Sequence, residues 1–365
     1  MFLKERDRLI RKFDNETVWI EPWGDNSLRV RATLLPEMPD NKWALLDRQE
    51  KENDNLKIEI KNNEASIKNG NISATFTSRG TIIFRNQKDE VILEEYIRQR
   101  AVLNDTGNED VNVKTIKAFS STLKLNPREF KPILGGDYNL TVRFESDPEE
   151  KIFGMGQYQQ TFLNLKNCSI ELAQRNSQSS VPFYISSKGY GFLWNNPGVG
   201  KVNFAKNITE WQLYSTKVLD YWITAGDTPA EIEEKYAEVA GKVPMMPDYA
   251  LGLWQSKMRY QTQDEVMEVA RRYKEKGITP SVIVIDFFHW TEQGHFDFDE
   301  RYWPDPAKMI KELDEMGIKA MISVWPTVST NAKTYQEFLE NGYLIHVDRG
   351  VKMTMQQLGN TVFID

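Results

Sequence analysis

From about Thr17 to Thr224, short runs rich in β-branched and aromatic residues recur between turn-forming residues: VWIEPWG, LRVRATLL, TIIFRNQKDEVILEE, YNLTVRFES and VPFYISSKGYGFLWNN. Leu56, Ile58 and Ile60 alternate with Lys57, Glu59 and Lys61, the period of two expected of half-buried strands. Asn69-Gly70 and Lys188-Gly189 stand where hairpin turns belong. This stretch predicts an antiparallel β-sandwich.

The pattern changes at Asp227-Thr228-Pro229, where a capping residue and a first-turn proline open a helix that Gly241 closes. Val243-Pro244-Met245-Met246-Pro247 then reads as a linker. Beyond it, strands and helices alternate. YALGLWQS leads to a helix opened by the capping box Thr262-x-x-Glu265, with Val266, Val269, Ala270 and Tyr273 on one face. Gly277 ends that helix and SVIVIDFF follows. A second helix takes Asp305 as cap and Pro306 at its first position, turns Ile310, Leu313 and Met316 inward, stops at Gly317 and feeds KAMISVWP. A third unit, TYQEFLENG and then YLIHV, repeats the scheme. Near-continuous apolar strands separated by helices predict a parallel sheet buried on both faces, either a (β/α)8 barrel or a doubly wound sheet. No Gly-x-Gly-x-x-Gly follows a strand, which favours the barrel. The expected organisation is a sandwich over 1–226, helix and linker over 227–248, and the first three βα units of a barrel over 249–365.

Composition narrows the function. At 365 residues, with 40% hydrophobic and 27% charged residues, the chain has the balance of a soluble globular protein of more than one domain. A net charge of −7 without a basic block argues against nucleic acid as partner. The single cysteine, Cys168, excludes an internal disulfide and a cysteine-based zinc site. MFLKERDRLIRKF lacks the apolar stretch of a signal peptide, and no apolar run has the length of a membrane span. A cytoplasmic protein without cofactor or metal is expected, with homo-oligomerisation left open.

In a barrel, chemistry sits at the C-terminal ends of the strands, which here are Trp254 to Arg259, Asp286 to Trp290, and Trp325 with Pro326. Aromatic faces lining a cleft suit the apolar faces of sugar rings, and carboxylates suit hydroxyls. For each tryptophan, core packing is the alternative, and for Trp303 beside Pro304 it is the better reading. Asp286 is either a ligand-binding acid at the barrel mouth or the cap of a following turn. His289, His295 and Asp297 match no zinc motif, and Glu292, Asp297 and Asp299 read as loop acids. Glycoside hydrolysis needs two flanking carboxyl groups. Asp286 is one candidate and no second stands out.

The segments Phe153-Gly154-Met155-Gly156-Gln157, VPFYISSKGYGFLWNNP, DYWITAGDTPAEI, LGLWQSKMRYQTQDEV, VIVIDFFHW, FDFDERYWPDP and MISVWPTV, taken in order, resemble family 31 of the glycoside hydrolases, particularly its bacterial α-xylosidase and α-glucosidase branch. The resemblance implies a galactose-mutarotase-like sandwich ahead of the barrel. It also implies retaining hydrolysis of α-linked xylosides or glucosides by an aspartate nucleophile and an aspartate acid. The nucleophile motif of the family's fourth strand does not occur here. The expectation is therefore a truncated chain whose catalytic pair lies beyond Asp365, inactive alone and prone to associate through its open sheet edge. By resemblance, Asp286 holds hydroxyls of the non-reducing sugar, Trp325 lines the same subsite, and Arg259 and Phe287 face the substrate. Gln174-Arg175-Asn176-Ser177 resembles a sandwich loop that reaches the cleft, with Asn176 where some members carry an acid. A family 31 transglycosidase or lyase, or a non-catalytic carbohydrate-binding or structural protein, is the alternative.

Overall fold

The computed structural model describes residues 1–48, 55–61, 63–96, 125–345 and 361–364, which form two compact units, Met1–Val243 and Pro244–Asp365. Among the described residues, no helix is long and apolar enough to cross a membrane.

The first unit is built from antiparallel strands. Its largest sheet has eight, in the order Phe2–Glu5, Arg8–Phe13, Glu16–Pro22, Ser27–Thr33, Leu219–Ala225, Tyr190–Trp194, Ser179–Ser186 and Ile152–Gln157. A five-stranded sheet runs Arg128–Pro132, Tyr138–Phe144, Thr209–Thr216, Gly200–Phe204, Ser169–Leu172, and a second runs Leu56–Lys61, Glu64–Asn69, Ile72–Phe76, Ile82–Arg85, Val91–Glu94. Both hairpin turns read from the sequence are present, Asn69 pairing with Ile72 and Ser186 with Tyr190. The first two strands were not legible, because Arg8–Phe13 carries no alternation to read: Leu9, Ile10 and Arg11 are buried in succession.

One core draws on all three sheets, through residues such as Val30, Tyr221, Leu140, Trp211, Ile67 and Phe84. Trp194 stacks on Trp211 at 4.9 Å and 14°, and both are fully buried, so these tryptophans pack the interior. The first helix, α1 (Pro229–Ala240), is capped by Thr228, whose side chain accepts from the Glu231 N–H, while the Glu231 carboxylate accepts from the Asp227 N–H at 2.8 Å. Its Ile232 and Val239 close a second cluster with Phe183, Leu193 and Trp222 on the large sheet.

In the second unit, Trp254–Gln255, Val282–Ile285 and Lys319–Ile322 form a parallel sheet, Trp254 opposite Val282 and Val282 opposite Lys319. Helices α2 (Gln263–Glu275) and α3 (Pro306–Glu315) connect them, and α4 (Tyr335–Glu340) follows. After α2, the N–H of Ile278 bonds to the carbonyl of Tyr273, with Gly277 at φ 70 between them; after α3, Ile318 bonds to Leu313 across Gly317 at φ 80. This closure needs a positive φ that glycine adopts without strain. Val266, Met267, Ala270, Ile283, Ile285, Trp303, Met309, Leu313 and Ile318 pack as one core.

Three details differ from the sequence reading. The segment YALGLWQS is mostly not strand: Asp248–Leu251 is a 3-10 turn, and only Trp254–Gln255 finds the neighbouring backbone. Met309, not Ile310, points inward, because with Pro306 opening the helix the buried stripe runs Met309, Leu313, Met316, and Ile310 lies one position round it. Finally, Thr361–Phe363 pairs antiparallel with Thr327–Ser329. The strand expected over YLIHV falls partly outside the described residues.

Buried ion pairs stitch the sandwich. Arg29 is fully buried, and its Nε and Nη2 donate to Asp220 Oδ1 and Oδ2 at 3.0 and 2.5 Å, joining Ser27–Thr33 to Leu219–Ala225. Replacing Asp220 with Ala strands a buried guanidinium, so it should destabilise the unit by about 3–5 kcal/mol, read as a lowered urea midpoint. A midpoint equal to wild type would show that the pair is not structural.

Candidate carbohydrate-binding site

Parallel pairing brings the C-terminal ends of three strands to one edge of the sheet. The first is followed by the turn Ser256–Tyr260. Gln255 secures this turn, accepting a bond from the Tyr273 hydroxyl at 2.6 Å and donating to the Tyr260 hydroxyl at 3.1 Å. Tyr260 is buried, and Arg259 beside it remains half-buried. The second strand is followed directly by Asp286, Phe287, Phe288, His289 and Trp290, and the third by Ser323, Val324 and Trp325.

These ends meet in a contiguous aromatic cluster. The Phe287 ring lies 5.4 Å from Trp325 and 4.8 Å from Phe288. Phe288 is 5.6 Å from Trp325 and 5.8 Å from Trp290, and Trp290 is 6.2 Å from Trp325. The Arg259 guanidinium stands over the Phe288 ring at 5.6 Å, within the range of a cation–π contact. Phe288 has φ 64 yet leaves 51% of its surface exposed. A bulky residue in the left-handed region carries strain of about 1–3 kcal/mol, which persists where surrounding contacts fix it.

Asp286 borders this cluster. Its Oδ1 accepts from the N–H of Phe287 at 2.8 Å, so the turn-capping alternative is realised by one carboxylate oxygen. Oδ2 has no hydrogen-bond partner among the described residues, and the residue is half-buried. Its carbonyl accepts from His289 Nδ1 at 3.3 Å. His289 is buried between Trp290 and Phe298, each 4.9 Å away, and burial holds its imidazole below the ordinary value.

Elsewhere in this loop, His295 and Asp297 are joined through Thr291 and Asp299 pairs with Arg301, while the half-buried Glu292 carboxylate has no hydrogen-bond partner among the described residues. His295 Nε2 accepts from the Lys333 N–H at 3.0 Å, so Nδ1 carries the proton and donates to the Thr291 hydroxyl at 2.8 Å. Thr291 in turn donates its hydroxyl to Asp297 Oδ2 at 2.7 Å and its N–H to Oδ1 at 3.0 Å. Burial would raise the Asp297 carboxyl, but the Thr291 bonds outweigh it and hold the group below the usual range. The hydrogen bonds from Arg301 hold Asp299 down likewise, against burial. Among the described residues, no three His, Cys, Asp or Glu side chains gather to hold a metal. Trp303 is core, 1% exposed.

Of the residues expected from sequence, Arg259, Phe287 and Trp325 are therefore joined in one cluster, with Asp286 adjoining Phe287. Phe288 and Trp290 complete it and were not singled out; their signal was the run FFHW directly after an apolar strand. Gln255, Tyr260 and Tyr273 were missed because a hydrogen bond between a strand end and a helix leaves no periodic mark. Asn176 belongs to the first unit. It lies exposed at the tip between Arg175 and Gln178, above a base closed by the paired bonds of Gln174 with Ser180, both 2.9 Å. Flat aromatic faces beside an open carboxylate oxygen and a guanidinium can take a neutral polyol, whose C–H face stacks while its hydroxyls donate and accept.

Replacing Thr291 with Val removes the hydroxyl that bridges His295 and Asp297. The Asp297 carboxyl should then titrate closer to the ordinary value of about 3.9, followed by carboxyl-carbon chemical shifts; an unmoved titration would contradict the assigned bonds.

Comparison with known proteins adds the lineage. Residues 243–365 match the family model described as "Glycosyl hydrolases family 31 TIM-barrel domain", and residues 17–203 match "Glycosyl hydrolase 31 N-terminal galactose mutarotase-like domain". An uncharacterized family 31 glucosidase, ORF2, of Pseudescherichia vulneris is 48% identical over 354 residues, 97% of this chain and 66% of that protein. Alpha-xylosidase A of Aspergillus niger is 30% identical over 339 residues, covering 90% of this chain and 45% of the relative. Among solved structures, a family 31 α-xylosidase from a soil metagenome, complexed with xylose, superimposes with a TM-score of 0.89 at 53% identity, covering 100% of this chain and 53% of that one. The chain thus spans between about half and two thirds of the length of these relatives.

Proposed function

The chain belongs to family 31 of the glycosyl hydrolases, and from that premise we propose that it is the sandwich and leading barrel portion of a retaining α-glycosidase whose substrate is an α-xyloside. The observation that carries this reading is the cluster of Phe287, Phe288, Trp290 and Trp325 against Arg259 at the strand ends, bordered by Asp286. Asp286 Oδ2 is the acceptor for hydroxyls of the non-reducing sugar, and a hydrogen bond to a carboxylate is about twice as strong as a neutral one. Trp325 and Phe287 form the wall against which the sugar's C–H face lies.

The same residues support xylose over glucose as the sugar in this proposal. Glucose carries a hydroxymethyl group that xylose lacks, and a wall of four aromatic rings provides few acceptors for its hydroxyl. A buried hydroxyl without a partner costs about 1–3 kcal/mol, which favours the smaller sugar. The relative solved with xylose supports this choice.

The oxocarbenium-like transition state needs a nucleophile on one face and a proton donor at the leaving oxygen. Asp297 and Asp299 are held by Thr291 and Arg301, and Glu292, the loop acid without such a bond among the described residues, has no second free loop acid beside it to complete a pair. In this reading the nucleophile and acid lie outside residues 1–365, and the strand ends here supply binding contacts.

The 365-residue chain should therefore bind methyl α-xyloside more tightly than methyl α-glucoside in calorimetry, without releasing nitrophenol from a nitrophenyl α-xyloside. Asp286→Ala should weaken xyloside binding about tenfold or more. Turnover that disappears on substituting Asp286, Glu292, Asp297 or Asp299 would relocate the chemistry to this chain, and an Asp286→Ala variant that binds like wild type would make Asp286 structural.

A further inference from the structure

The segment after the second parallel strand buries one titratable side chain that the proposed sugar contacts leave unused. His289 is 3% exposed, although Asp286, Phe287 and Trp290 around it are half-buried and Phe288 is open to solvent. Its ring is anchored to the core. Trp290 and Phe298 pack on it at 4.9 Å, and Phe298 lies 5.5 Å from Trp303, which belongs to the same core as Ile283 and Ile285 of the strand that ends at Asp286. The His289 carbonyl accepts from the Asp299 N–H at 2.8 Å, which fixes the backbone as well.

The one polar contact printed on this ring is with Asp286. A carbonyl can only accept, so the 3.3 Å contact between His289 Nδ1 and the Asp286 carbonyl places the ring proton on Nδ1. Phe288, the third residue of the four from Asp286 to His289, has φ 64 and folds the chain so that the ring returns to that carbonyl. Asp286 is therefore held twice, at its carbonyl by His289 and at Oδ1 by the Phe287 N–H at 2.8 Å. Burial, opposed by the bond to Asp286 and the charge of Asp297, holds the imidazole below its ordinary value, which keeps the uncharged ring in place.

We infer that His289 is a positioning residue for sugar binding, which fixes the turn at Asp286 through its Nδ1–H and so sets the carboxylate that meets the sugar's hydroxyls. His289 is not itself a sugar contact. A carboxylate already fixed before binding loses less freedom when the ligand arrives. This inference rests on the reading of the strand-end cluster as a glycoside site.

Two measurements on the 365-residue chain test it. Long-range nitrogen–proton spectra of the labelled histidine rings read the tautomer on wild type at neutral pH, without ligand; the His289 signals are those lost in His289→Asn. They should show the proton on Nδ1, and a proton on Nε2 overturns the inference. Calorimetry with methyl α-xyloside then separates donor from packing. His289→Phe keeps a ring beside Trp290 and Phe298 but has no donor, and should weaken binding about three- to tenfold. His289→Asn puts an amide N–H near the place of Nδ1–H and should bind within about twofold of wild type although the ring is lost. The reverse order, with the phenylalanine variant close to wild type and the asparagine variant weak, would make His289 a packing residue. Equal binding by all three proteins overturns the positioning role and leaves the glycoside site standing. If wild type binds no xyloside, the glycoside reading falls and the role of His289 in sugar binding falls with it.

Discussion

The parallel pairing of Val282–Ile285 with Lys319–Ile322, and of Val282 and Ile283 with Trp254 and Gln255, is the contact on which the candidate site depends. A parallel register sends every strand's C-terminal end to the same edge, so residues distant in the chain meet there without any helix or loop being designed to bring them together. Arg259, Phe287 and Trp325 come from three separate strand ends and share one aromatic cluster for this reason. The helices secure the register from outside: α2 and α3 bury Val266, Ala270, Met309 and Leu313 against Ile283 and Ile285, and each stops at a glycine that turns the chain back toward the sheet.

That register leaves the loops free to differ in character. The turn after the first strand is held by the bonds of Gln255 to Tyr273 and Tyr260. The loop after the second is held by Thr291, His295, Asp297 and Lys333. In both, polar groups that a sequence reader would inspect for catalysis or metal binding are occupied in fixing backbone; the first turn leaves Arg259 half-buried beside a buried Tyr260, and the second loop holds Phe288 outward. Phe288 and Phe296 sit at positive φ in this second loop, where bulky residues persist only if their neighbours over-determine the backbone. The sandwich follows a different economy, with its interior filled by stacked Trp194 and Trp211 and its strands joined by ion pairs such as Arg29–Asp220.

Much of this was legible in the chain. Period-two alternation and Gly-containing turns read as a sandwich, and the caps at Thr262 and Asp305 with the stops at Gly277 and Gly317 read as βα units, because both signals are local and repeat. Asp286 and Trp325 could be named as strand-end residues for the same reason. What could not be read was tertiary. The second strand has no alternation to read, since Leu9, Ile10 and the charged Arg11 are buried in succession. The short first barrel strand looked longer because a 3-10 turn and a strand share apolar composition. Met309 in place of Ile310 reflects a one-position rotation that adjacent apolar residues cannot distinguish. The Thr291–His295–Asp297 chain has no sequence signature, since its members are selected by the loop's path and not by spacing.

The central claim is that the strand ends of the second unit form a sugar-binding surface. It is tested most directly by titrating the isotope-labelled, assigned 365-residue chain with xylose and following backbone amide shifts. The account predicts saturable shifts concentrated at Arg259, Asp286 to Trp290 and Trp325, including their indole N–H signals. Shifts confined to the first unit, or no saturable shift at any concentration reached, would contradict it.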